Sequence, residues 1–161
     1  MNITKSELIN IIGIGTFTYL SISGFSILVE KIIRELFIII KTDNSLNFWT
    51  TEIVDLALFT FISFFTVKFI IRIILKSKFK LRKIFISLFI GLFVIQVFQF
   101  LYAYYGTEYV MENYHERFVD FYEYLSGRPM LSFYSSIIAT CKYLFFGIII
   151  LIGNKTVANN V

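Results

Sequence analysis

A chain of 161 residues that is 57% hydrophobic, with mean hydropathy +0.76, is too apolar for a soluble domain of its size, where roughly 45–50% is typical. Several runs of about 20 apolar residues match a hydrocarbon core of about 30 Å, so the composition predicts one all-α integral membrane domain. The net charge of +4 is unevenly spread, with seven of the fifteen basic residues in 68–83 and no acid among them.

The first span is expected over about 8–29. Gly13, Gly15, Thr16, Ser21, Ser23, Gly24 and Ser26 make it rich in small residues, which let helices approach closely in lipid. Its length and the lack of a small-x-small cleavage site favour a retained span over a signal peptide. The segment 30–41 is too charged for a second span. It extends the first helix or lies at the interface, with Glu30, Lys31, Arg34 and Glu35 as solvated or interfacial pairs.

A polar loop at 42–47 then leads to Phe48 and Trp49, which suit an interfacial anchor. The second span covers about 53–75, with Glu52 and Asp55 near its outer end. Lys68, Arg72, Lys76 and Lys80 recur every four residues and make one stripe, joined by Lys78, Arg82 and Lys83. Between two spans, such a stripe is expected to face anionic lipid headgroups. It lacks the interleaved exposed aromatics of a nucleic-acid groove, so no nucleic-acid partner is expected. The third span covers about 84–105 and ends in Tyr102, Tyr104 and Tyr105, as an aromatic belt would.

Between spans three and four, Glu108, Glu112, Glu116, Asp120 and Glu123 share one face. Met111, Tyr114, Phe118, Phe121, Tyr122 and Leu125 share the other. This predicts an amphipathic helix over about 108–126, aromatic side down and acidic side wet. Gly127 and Pro129 punctuate the start of the fourth span, about 130–152. The expected architecture is four transmembrane helices in one bundle, plus this interfacial helix. Lysine and arginine bias places the 76–83 loop and both termini in the cytoplasm of a multi-pass inner-membrane protein.

Lys142 falls about halfway along the fourth span. A lysine at the membrane centre costs a few kcal/mol, so it is expected to face a partner or a polar cavity. Gln96 and Gln99, one turn apart at similar depth on the third span, are its expected partners through their side-chain carbonyl oxygens. Asp55 reads as too shallow to pair comfortably with it unless the helices tilt or shift. The alternative for the glutamines is ordinary interhelical bonding.

Catalytic signatures are missing. Glu112 and His115 have a di-iron spacing, but that chemistry needs two such motifs plus further carboxylates, and the chain has one histidine. The lone Cys141 excludes an intrachain disulfide and a cysteine metal site. No cofactor or metal is expected. The sequence therefore suggests a non-catalytic accessory or oligomeric subunit of a membrane assembly. The alternative is a small oligomeric channel or transporter with a polar path at Lys142, Gln96 and Gln99.

Overall fold

The computed structural model describes residues 5–76 and 81–158, which hold helices and short connections and no strand. Helix α1 spans Lys5–Ile39, α2 Asn44–Lys76 and α3 Leu81–Leu101. A π-helical turn Tyr102–Thr107 follows, then α4 Glu108–Asn113, α5 His115–Ser126 and α6 Pro129–Ala158. Four stretches are long and apolar enough to cross a membrane: Leu8–Ile39, Asn44–Ile74, Leu81–Asn113 and Pro129–Gly153.

The first two helices are longer than their apolar runs. The charged 30–39 segment continues α1 without a break. At 1.5 Å per residue, 35 residues make a rod about 50 Å long. It stops at a left-handed residue, Lys41 (φ 62°). There the Thr42 N–H donates to the Phe37 carbonyl at 3.0 Å and the Lys41 N–H to the Ile38 carbonyl at 3.4 Å. This is the bonding pattern of a Schellman cap, which favours glycine at the left-handed position. Lys41→Gly should therefore stabilise the chain by about 1 kcal/mol, read as a higher midpoint in thermal unfolding. A lower midpoint would mean that the lysine side chain contributes more than its backbone costs.

Asp43 starts α2 earlier than the polar loop expected at 42–47. Its Oδ1 accepts from the Ser45 N–H at 2.9 Å and the Leu46 N–H at 3.1 Å, the capping interaction that short polar side chains provide. Phe48 is consequently buried inside the packed part of the chain, while Trp49 stays exposed.

The long helices pack in the order α3 on α1, α1 on α2, and α2 on α6. Small residues matter at the first of these seams. A side chain at Gly13 would put its Cβ 2.6 Å from the Phe85 ring, and Phe17 meets Phe85 and Phe89 edge-on at 5.0 and 5.7 Å. A core of Ile22, Phe59, Val67, Phe146 and Ile149 joins α1, α2 and α6, with Tyr19 packed against it. No residue of α3 is buried.

The expected single helix over 108–126 is broken. The first six residues continue the axis begun by α3, and the chain turns at Tyr114 (φ −132°, ψ 36°) before α5 begins. The break lets Phe121 and Val110 close on Ile38 near the end of α1, with Tyr114, Phe118 and Leu125 packed around them. The acids fall on two helices, Glu108 and Glu112 on α4 and Glu116, Asp120 and Glu123 on α5, and all five are exposed. Arg117 extends from α5 to the end of α1, where its Nη1 donates to the Ile39 carbonyl at 2.9 Å.

Candidate functional site

Lys142 pairs with Asp55, not with the glutamines. Its Nζ meets Asp55 Oδ2 in a buried ion pair, with the two residues only 4% and 5% exposed. The depth argument against this pair fails because α2 begins at Asn44. Asp55 stands eleven residues into α2 and Lys142 thirteen into α6, about 16 and 20 Å from the same end of the molecule. Helical side chains also lean toward their own N-terminus, which carries the lysine back toward Asp55. Below the pair lies Phe59, fully buried, with its ring centroid 5.6 Å from Nζ.

A second cation sits one layer nearer the α5 end. Arg34 Nη2 contacts Glu30 Oε1 one turn earlier on α1, and Glu52 Oε1 on α2 at 3.9 Å. Ser135 of α6 donates its hydroxyl to the same Glu52 oxygen at 2.6 Å. The Arg34 backbone is held too: its carbonyl accepts from Asn47 Nδ2 at 3.1 Å. Glu30 and Glu52 are both buried. Glu30 and Arg34 do form the expected helix pair, but it packs against α2 instead of standing in solvent, and Glu52 and Asp55 are buried among the helices. Glu30, Arg34 and Glu52 form one charged group and Asp55 with Lys142 a second, together a charged network in two layers across three helices. It opens on a cavity of about 380 Å³ whose walls include Arg34, Glu52, Tyr122, Ser132 and Ser135.

Glu35 is a separate case and is completely buried. Its two oxygens accept from the Tyr102 hydroxyl at 2.6 Å and the Thr107 hydroxyl at 2.8 Å. Residues five apart on an α-helix point about 140° away from each other at 3.6 residues per turn. The π-helical turn makes i→i+5 bonds instead, so Tyr102 and Thr107 come round to nearly one side. Gly106 completes the arrangement, since a Cβ there would lie 2.6 Å from the Tyr102 ring. The tyrosines at the end of the third span gave no sign of this, because an α-helical reading scatters those two hydroxyls.

The glutamines belong to the opposite seam. Gln99 Nε2 donates to the Gly24 carbonyl at 2.7 Å, and a Cβ at Gly24 would come within 3.6 Å of both glutamine side-chain nitrogens. They join α3 to α1, while Lys142 joins α6 to α2. No polar path connects them through these contacts, so the expected partnership of Gln96, Gln99 and Lys142 is corrected.

The basic stripe is open where it is described. Arg72, Arg82 and Lys83 are exposed, and Lys68 is half-buried with its Nζ 5.8 Å from the Phe64 ring centroid. The side chain of Lys76, and all of Lys78 and Lys80, lie outside the described residues. Glu112 and His115 are divided by the turn at Tyr114. No grouping of three or more His, Cys, Asp or Glu suited to a metal ion occurs among the described residues. No family model matches the chain, and neither a curated protein nor a solved structure matches it.

Proposed function

We propose that this chain is a small non-catalytic membrane protein whose working part is the Glu30–Arg34–Glu52–Asp55–Lys142 network, a binding site for an ion or small polar solute. The observation that carries the reading is the burial of Glu30, Glu52, Asp55 and Lys142, with Arg34 half-buried among them, on three helices beside a cavity lined by Arg34 and Glu52. Charges inside a membrane are expensive and mark ion or solute sites more often than they mark fastening. On the far side of the Lys142–Asp55 pair lies the apolar core of Ile22, Phe59, Val67, Phe146 and Ile149. That arrangement favours a site entered from the α5 end over an open pore through one chain.

Orientation follows from the basic stripe, which faces anionic headgroups on the cytoplasmic side. The cavity then opens outward, under an α5 that lies along the membrane surface, and the long helices form a four-helix bundle. Ser135→Cys in a Cys141→Ser background tests the reading. A membrane-impermeant thiol reagent should label position 135 from the outer side alone, while Val67→Cys stays unlabelled. A cysteine at 135 that reacts from neither side, or from the cytoplasmic side, would remove the one-sided site.

A second reading, an oligomeric or accessory subunit, is favoured by α3, which touches α1 and buries none of its own residues. Native mass measurement in mild detergent separates the two, since the binding reading holds for a monomer.

A further inference from the structure

The network does not balance its own charge. Glu30, Glu52 and Asp55 bring three carboxylates, while Arg34 and Lys142 bring two cations. Every one of these groups lies within a candidate spanning stretch, where an uncompensated charge is costly. Glu35 is a separate buried acid outside this count: its two oxygens accept from the Tyr102 and Thr107 hydroxyls and make no contact with Arg34 or Lys142 among the described ion pairs.

The imbalance has a definite location. Asp55 has Lys142 to itself, so that pair is neutral. Glu30 and Glu52 converge on a single nitrogen of a single guanidinium, Arg34 Nη2. Two carboxylates that share one cation cannot both ionise at low cost, and such pairs titrate jointly. Buried polar atoms without a partner mark the same region: Arg34 Nε and Asp55 Oδ1. Among the described residues no third cation makes an ion pair with these carboxylates. From α6 come Lys142 and the Ser135 hydroxyl. From α5 comes Tyr122 across the cavity, whose hydroxyl burial holds above its ordinary value and hence neutral.

We infer that the network carries one exchangeable proton, shared by Glu30 and Glu52 across Arg34 and exchanged with water through the cavity beside Ser135. The step is a simple transfer: hydronium in the cavity gives up a proton and becomes water, one carboxylate oxygen gains an O–H bond, and the network goes from a net charge of −1 to zero. This rests on the binding reading above and names the ion.

Infrared spectroscopy of the full chain in lipid nanodiscs tests it. A band from a protonated buried carboxyl group should be present at low pH, vanish on raising the pH, and shift when glutamate is labelled with carbon-13. Its titration should move to markedly lower pH in Glu30→Gln and in Glu52→Gln, because either change leaves two carboxylates with two cations. Asp55→Asn does not remove the shared guanidinium and should retain it. The glutamate-label shift is read on the wild-type chain, so it stands even if a variant fails to fold. Three results would overturn the proposal: no titrating carboxyl band, a band that ignores glutamate labelling, or one whose titration is unmoved in either glutamine variant. A pair filled by sodium instead of a proton would show ionised glutamates throughout the titration in sodium buffer, which also overturns it. Loss of the band with position 135 still labelled from outside refutes the proton alone. Loss of that labelling refutes the site.

Discussion

Lys142→Met is expected to destabilise the chain by about 3–5 kcal/mol, the cost of leaving a buried acid without its counterion. Asp55→Leu should cost a similar amount for the mirrored reason. The double variant should recover most of the loss, since a well-packed apolar pair of similar volume often replaces a buried ion pair without penalty. Unfolding by a denaturing detergent in mixed micelles gives the four corners of the cycle. The coupling energy decides the nature of the contact. Interhelical hydrogen bonds in membranes average about 0.6 kcal/mol, so a coupling of that size would reduce the pair to ordinary fastening. Single variants within about 1 kcal/mol of the parent would mean that the two charges are not buried together.

The second large effect is expected at Glu35. Glu35→Leu removes a buried acceptor from two hydroxyls at once. Hydrogen bonds to charged groups contribute about 1.5–3 kcal/mol each, and partial recovery by Thr107 bonding to its own backbone brings the expected total to about 3 kcal/mol. Glu35→Gln should lose about half as much, because the amide keeps one accepting oxygen and offers a donor in place of the other. Gly106→Ala should resemble Glu35→Gln, since the added methyl displaces the Tyr102 ring. Thermal unfolding followed by circular dichroism ranks the three. A neutral Glu35→Leu would show that the carboxylate is dispensable and that the π-helical turn has another cause.

The sequence carried the four spans because each is an unbroken apolar run, and that signal survives any error in packing. It carried Lys142 as a buried charge for the same reason. Partners are another matter. The reading measured depth from the ends of the apolar runs, and α1 and α2 extend well past theirs, to Ile39 and back to Asn44. That offset set Asp55 in the packed interior and brought the Glu30–Arg34 pair against α2, with Glu30 buried and Arg34 half-buried. The two caps that set the offset, Asp43 and Lys41, lie in one short connection. Asp43 had the residue type to signal a start, while Lys41 lacked the usual glycine that signals a stop. The seam between α3 and α1 was legible in its small residues. The assignment of Gln96 and Gln99 to that seam was not, because helix order has no imprint on hydropathy.

The ion pair also has a history within each molecule's synthesis. Asp55 and Lys142 are 87 residues apart, since 142 − 55 = 87. At a synthesis rate of roughly 5–20 residues per second, α2 waits about 4–17 seconds before its counterion exists. Through that interval the acid is in the membrane or at its edge without Lys142. Arg34, already made, is held against the start of α2 by Asn47 and pairs with Glu30 and Glu52. The Arg34 layer, with its contacts to Glu30, Glu52 and Asn47, lies wholly within α1 and α2, so it is the part of the charged cluster that can form before α6 is made. A ribosome-stalled chain ending before residue 129 should already hold α1 against α2, and should lose that contact when Arg34 is replaced by methionine.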